Sequence, residues 1–302
     1  MLPDAAHPER GRFVRDQAQA LGTIEGIEVT LHEFPPGGRA LLKAAQTLRG
    51  RYRGERLDVV HAHFGLTAWP ALAVRTRLRA LTVHGTDVHH PRTRQATRLL
   101  LPRMGLIGAV SPALAAELPG AAARRRAQVL PCGVDLTRFR PIPRAQAREQ
   151  LGLDPRGPYL LFAADPNRPE KRHDRALEVA NGVQLLSLGG IEPERVPLWI
   201  NAANAVLVPS EREGFGLAVL EALACEVPVL ATPVGMHSEV LQGLTGTLCA
   251  PFDRDRWRAA LAPHLQAADP RVDGVPRAAP YSVMHMAERV AQAWRALLEH
   301  AG

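Results

Sequence analysis

Short apolar runs alternate with stretches of helical spacing along most of the chain, and that alternation confines it to a parallel α/β architecture. In the first half, GIEVTLHEF (26–34), LDVVHAHF (57–64), ALTVHG (80–85), LIGAVS (106–111) and AQVLPCG (127–133) read as strands. RFVRDQAQAL (12–21) and AWPALAVRTRLRAL (68–81) read as helices between them. A proline-containing segment, RFRPIPRAQ (138–146), then interrupts the pattern and reads as a linker. A second series follows, with PYLLFAAD (158–165), GVQLLSLGG (182–190), NAVLVPS (204–210), VPVLATPVG (227–235) and GTLCAP (246–251) as strands. LWINAAN (198–204) and GLAVLEALAC (216–225) are the helices among them, and the tail MAERVAQAWRALLEHA (286–301) is the clearest amphipathic helix. The expected organisation is two Rossmann-like halves, residues 1–140 and 141–280, with a C-terminal helix in 281–302 that packs back toward the first half. Open α/β sheets bind ligands where loops leave the carboxyl ends of the strands, so those loops are where chemistry is sought.

Composition narrows the field. At 302 residues, 46% apolar and 22% charged, the chain has the make-up of a soluble globular protein with room for two domains. Its net charge of +7 is carried almost wholly by arginine, with Lys43 and Lys171 the only lysines. A basic surface suits anionic partners, but the sequence holds no RNP aromatics, no zinc-finger spacing and no basic region leading into heptads, so a nucleic-acid partner is not expected. Cys132, Cys225 and Cys249 are scattered and form no CxxC pair, the pattern of reduced thiols in a cytosolic protein. No apolar run reaches the length of a membrane span and the N-terminus lacks the apolar core of a signal peptide, so a cytoplasmic location is expected. The arginine clusters RTRLRA (75–80) and RRRAQ (124–128) suit a solvated helix face or peripheral contact with an anionic membrane on the cytoplasmic side.

The most informative stretch is SEREGFGLAVLEALACEVPVLATPVG (210–235), which holds Glu213 and Glu221 with seven residues between them. It reads as strand end, loop and helix. Gly214 and Gly216 let the backbone approach a ligand closely, and the first amides of the helix after them suit a phosphate or diphosphate. Carboxylates do not bind phosphate; they accept hydrogen bonds from hydroxyls, and one can clamp a vicinal diol such as a ribose. Glutamate at a turn and on a solvated helix face are both common, so spacing alone leaves the pair open. The second strand and Gly235 turn that follow at once favour a built nucleotide-sugar site.

These residues resemble the signature of glycosyltransferase family 4, the retaining nucleotide-sugar glycosyltransferases of GT-B fold. DVVHAHFG, VHGTD, AVSPALAAEL, PCGVDLTRFRP, RPEKR and VPLWINAANAVLVPSEREGFG are similar to segments of its members in the same order, and the resemblance covers roughly residues 8–300. It implies two Rossmann-like domains facing each other across a cleft. The first would accept the acceptor (a saccharide or a lipid-linked group) and the second the nucleoside-diphosphate sugar donor, with no cofactor. On the E-x7-E motif, Glu213 matches the carboxylate against the donor sugar and Glu221 the one on the ribose, with amides of Gly214, Phe215, Gly216 and Leu217 holding diphosphate or sugar. His84 in VHGTD matches the histidine directed at the donor sugar, and Lys171 in RPEKR the lysine on the donor phosphates.

Two departures stand out. Where members carry an arginine after the first strand of the second domain, this chain has Ala163, Ala164 and Asp165, and Arg168 is the nearest substitute. Members also begin with a buried strand and a glycine-rich loop; here the loop end with Gly11 and the helix remain, but the opening strand is absent, which would leave an open sheet edge. The expected reaction is metal-independent transfer of a sugar with retention, since no Asp-x-Asp motif is present. Two other readings stay open: a nucleotide-sugar epimerase of the same fold, and a truncated, non-catalytic homologue that binds nucleotide or a partner.

Overall fold

The computed structural model describes residues 11–35 and 37–299. The chain divides into two compact units, one formed by Phe13–Cys132 with the chain from Met284 onward, the other containing Gly133–Val283. In the first unit β1 (Leu57–His63), β2 (Thr76–Val83), β3 (Leu106–Ala109) and β4 (Ala127–Val129) form a parallel sheet in the order β1-β2-β3-β4. Leu81, Val83, Leu106, Ile107 and Ala109 are buried, the near-continuous apolar run that a parallel strand needs when both its faces are covered. Register places His61 opposite Ala80 and His63 opposite Thr82. Among the described residues β1 has β2 as its single strand neighbour and is less buried than β2 or β3.

Two expectations about this half fail. Residues 26–34 form no strand: Ile27, Val29 and Phe34 are only partly buried and Leu31 is 40% exposed. The helix expected over 68–81 is confined to Ala68–Ala71, and Thr76 onward is β2. Val74, Leu78 and Leu81 recur at helical spacing in the sequence, yet pairing with β1, from Leu57 opposite Thr76, buries Leu78 and Leu81 as strand. The arginines of 75–80 consequently lie at or within a strand rather than on a helix: Arg77 pairs with Asp58 at 3.2 Å and Arg79 donates to the Val74 carbonyl at 2.9 Å. In the Ala121–Arg126 helix, Arg124 donates to the Leu118 carbonyl and Arg126 to that of Met104.

The second unit holds five parallel strands, β5 (Tyr159–Phe162), β6 (Gln184–Ser187), β7 (Ala205–Val208), β8 (Val229–Ala231) and β9 (Leu248–Cys249), in the order β6-β5-β7-β8-β9. Leu160 and Phe162 of β5, Ala205 and Leu207 of β7 and Leu230 of β8 pack with Ala176, Val179, Trp257 and Leu261 into one core. The Arg254–Gln266 helix that brings Trp257 and Leu261 starts at Asp253, whose carboxylate accepts from the Arg256 amide at 2.8 Å as an N-cap.

The amino ends of these strands are closed by buried charge. Arg144 and Arg148, one turn apart on the Arg144–Leu151 helix, are 1% and 3% exposed. Arg144 donates to the carbonyls of Ala203 (3.1 Å), Ala268 (3.0 Å) and Pro270 (3.2 Å). Arg148 donates to the Ala202 carbonyl (2.9 Å) and to Asn204 Oδ1 (2.8 Å), which also accepts the Tyr159 amide. Each guanidinium thus satisfies carbonyls just before β7 that no ladder reaches. The opposite, carboxyl ends of β7 and β8 lead into residues 209–216 and 232–236.

The C-terminal helix, Val283–Glu299, buries Met286, Ala287, Val290, Ala291 and Ala293, and from Met284 it belongs to the first unit. No helix among the described residues is long and apolar enough to cross a membrane. Cys132 and Cys225 are free and buried, and burial pushes both thiols up to about 12.

Candidate functional site

The loop after β7 turns Glu213 inward. Its carboxylate is 10% exposed and meets the 13%-exposed ammonium of Lys171, with Nζ at 2.6 Å from Oε1 and 2.7 Å from Oε2. Ser210 Oγ donates to Oε1 at 2.7 Å. Burial by itself would raise the Glu213 carboxyl; the charge of Lys171 and the hydrogen bonds from Lys171 and Ser210 outweigh it and hold the group below its ordinary range.

Lys171 is delivered by a short turn, Pro169–Lys171, whose next residue, Arg172, adopts a left-handed φ of 58° without being glycine. That costs on the order of 1 kcal/mol or more, and the Arg172 side chain holds it by bonding Asp174 (2.9 Å) and Glu211 (2.5 Å). The Glu211 amide donates to the Glu170 carbonyl at 2.9 Å. The lysine turn and the glutamate loop are therefore sewn together at two further points. Arg168 stands apart: it is about half exposed and paired with its neighbour Glu170 at 2.7 Å.

Gly216, with φ of 107°, begins the Leu217–Ala224 helix, whose first amides have no intrahelical acceptor. Phe215 is buried and its carbonyl accepts from the Met236 amide at 2.8 Å. Gly214, Gly216 and Leu217 are partly exposed, as is Glu221 further along the helix. Gly235 cannot carry a side chain, because a Cβ there would overlap the Phe215 carbonyl.

His237 is a residue the sequence reading missed. It is fully buried, its Nδ1 donates to the Thr232 carbonyl at 2.8 Å, and its Nε2 has no hydrogen-bond partner. Burial lowers its pKa, with Glu213 opposing, so the ring is neutral and Nε2 is bare. A Cβ at Gly216 would overlap that Nε2. Thr232 Oγ1 in turn donates to the Ser210 carbonyl at 2.5 Å. The available signal was positional: Ser210 and Thr232 sit just beyond the carboxyl ends of adjacent strands, where ligands are held. The G216A variant should lose roughly 1–3 kcal/mol of stability from the forced contact and left-handed backbone. Urea unfolding should show His237→Ala in the same chain recovering part of that loss; a G216A midpoint equal to wild type contradicts the packing.

The other residues singled out by sequence fall elsewhere. Gly11, with φ of 69°, directly precedes the Arg12–Leu21 helix. His84 follows β2 in the first unit and is partly exposed, with Phe13 and Phe64 each at 4.7 Å between ring centroids. Its amide and that of Gly85 donate to Asp87 Oδ1 at 3.0 and 2.9 Å, and the Gly65 amide to Oδ2 at 3.3 Å. Asp87 is buried, and burial raises its carboxyl against the pull of those amides. It ties the turns after β1 and β2 together, a role its place in VHGTD gave no hint of.

Comparison with known proteins places the chain in a family. Residues 5–138 match the family model for Glycosyltransferase Family 4, and residues 149–273 that for Glycosyl transferases group 1. The chain is 31% identical to the D-inositol 3-phosphate glycosyltransferase of Actinosynnema mirum, covering 88% of this chain and 78% of that protein. It is 29% identical to the protein of the same name from Nocardia farcinica, covering 98% and 78%. In fold it is similar to sucrose-phosphate synthase from Thermosynechococcus elongatus, with a TM-score of 0.70 at 19% identity over 98% of both chains. Anabaena HepE in complex with UDP and glucose gives a TM-score of 0.69 at 16% identity, over 95% and 96%. Those two likenesses identify the architecture as GT-B. With both units matched in sequence and in fold, this chain belongs to glycosyltransferase family 4.

Proposed function

We propose that the protein transfers a sugar from a nucleoside diphosphate to an acceptor hydroxyl with retention at the anomeric carbon and without a metal ion. The observation that carries this reading is the buried Lys171–Glu213 pair beside the glycine-led helix at 216: a cation, a carboxylate and free amide donors converge there. The amides at Phe215, Gly216 and Leu217 hold the diphosphate, and Glu221 accepts the ribose hydroxyls. Lys171 leaves Glu213 for the leaving phosphate and supplies the positive charge that stabilises it. Arg168 is assigned a minor part, being engaged by Glu170. Glu213 orients the sugar and stabilises positive charge on its ring. In a front-face course the bond from the anomeric carbon to phosphate breaks as the bond to the acceptor oxygen forms on the same side, and the departing phosphate oxygen takes the acceptor's proton. His84 presents a ring nitrogen to the sugar. The UDP held by Anabaena HepE makes UDP-sugars the first donors to try.

Thermal unfolding with UDP-, GDP- and ADP-sugars tests the donor. At a hundredfold excess over Kd the matching donor stabilises by about 2.7 kcal/mol, a rise of roughly 5–10 °C. No shift with any of the three would sink the reading. With the donor known, product NMR should show the donor's own anomeric configuration, and EDTA should leave the rate unchanged.

A further inference from the structure

Three imidazoles lie in contact in the first unit. His61 and His63 lie ring on ring, 4.8 Å between centroids and 14° from parallel, and His63 Nδ1 is 3.0 Å from His84 Nε2. Burial lowers all three pKa values, His63 to about 4 and the other two well below their usual value, so each ring is neutral and carries one proton. The groups that bond these rings then decide where those protons sit. Gln17 is buried and its side-chain amide nitrogen, a donor only, lies 3.4 Å from His63 Nε2. His63 Nε2 must therefore accept, its proton is on Nδ1, and Nδ1 donates to His84 Nε2. That leaves the His84 proton on Nδ1, a nitrogen with no hydrogen-bond partner among the described residues. His61 is fixed separately: Trp294 Nε1 donates to its Nδ1 at 3.2 Å, so its Nε2 donates to Thr82 Oγ1 at 2.8 Å.

We propose that Gln17 and His63 are positioning residues that lock His84 as the Nδ1–H tautomer, so that it offers an oxygen ligand a hydrogen-bond donor and cannot serve as a base. The surroundings hold the ring where this matters. Phe13 and Phe64 pack on it, and Phe64 keeps φ of 71° and ψ of 142°, a conformation L residues rarely adopt. The Phe64 amide donates to the Thr82 carbonyl at 3.0 Å and its carbonyl accepts from Thr67 Oγ1 at 2.9 Å, which keeps that strained backbone in place. The oxygen addressed would be a hydroxyl or ring oxygen of the donor sugar, a step that rests on the proposed transferase reading.

The tautomer itself is read without any substrate. Long-range ¹H–¹⁵N correlation on the labelled, unliganded protein should find His84 protonated at Nδ1 and bare at Nε2. In His63→Phe, which keeps a flat ring and removes both nitrogens, His84 should become a mixture of tautomers, and Gln17→Leu should have the same effect if the first variant does not fold. With the donor identified, kcat/KM in the folded variant should fall by roughly 10–100-fold, the usual size of losing an orienting partner. A His84 protonated at Nε2 in the wild type overturns the proposal, as does an unchanged Nδ1–H tautomer in either folded variant. If the tautomers behave as expected and no nucleotide sugar binds, it is the transferase reading that fails.

Discussion

Glu213→Gln should lower kcat by about two to three orders of magnitude, the usual cost of removing one preorganised charge from a transition state, with a smaller loss of stability than alanine at the same position because a hydrogen-bond acceptor stays beside Lys171. Glutamine keeps the shape and an acceptor for Ser210 Oγ (2.7 Å from Oε1), but no longer carries the negative charge. Alanine is the wrong probe. It would leave the Lys171 ammonium buried without its partner, a loss of roughly 3–5 kcal/mol, and would confound lost chemistry with lost fold. A double replacement, Lys171→Met with Glu213→Leu, removes both charges together. It should be near neutral in stability by the same principle and fully inactive. Steady-state rates alongside urea unfolding of the three proteins separate the effects, and turnover by Glu213→Gln within threefold of wild type would reject the role given to this carboxylate.

Arg144→Met should have the largest effect on folding and little on chemistry. The side chain is 1% exposed, pairs with Asp269 at 3.5 Å and serves three backbone carbonyls. Burial draws its pKa down to about 10, opposed by Asp269, so the guanidinium stays charged at neutral pH and donates all its bonds. Methionine fills the volume but gives nothing to the carbonyls of Ala203, Ala268 and Pro270. An orphaned buried acceptor costs about 1–3 kcal/mol, and with partial rehydration the sum should be roughly 3–5 kcal/mol. The network lies at the amino ends of β5 and β7, whereas Glu213 and Gly216 follow the carboxyl end of β7. Folded Arg144→Met at low temperature should accordingly keep kcat/KM within about twofold. A midpoint in urea equal to wild type would mean that these carbonyls do not depend on the arginine.

What the sequence revealed and what it concealed follow from the range of the interactions. Buried parallel strands are apolar on both faces, so PYLLFAAD and NAVLVPS announce β5 and β7 directly. The residues of the E-x7-E stretch were legible because glycine, glutamate and the helix start are neighbours in the chain. Arg144 and Arg148 were not, since most of their acceptors lie more than fifty positions away and arginine in a sequence reads as surface. His237 was missed because its own neighbours in the chain carry no motif: its meaning comes from Gly216, on another loop. The strand expected over 26–34 failed for a related reason: alternation gives a strand two faces, but only a neighbour can pair its backbone.

The scarcity of lysine gives Lys171 an analytical use. With Lys43 the only other lysine in the chain, an amine-selective acylating reagent meets an uncrowded target list, and the two ε-amines separate into different proteolytic peptides. Lys171 is mostly covered and already engaged by a carboxylate, so its slow acylation becomes a clock for how often that pair opens. Occupancy of the site can then be followed by mass spectrometry, with no radioactive sugar and no coupled assay.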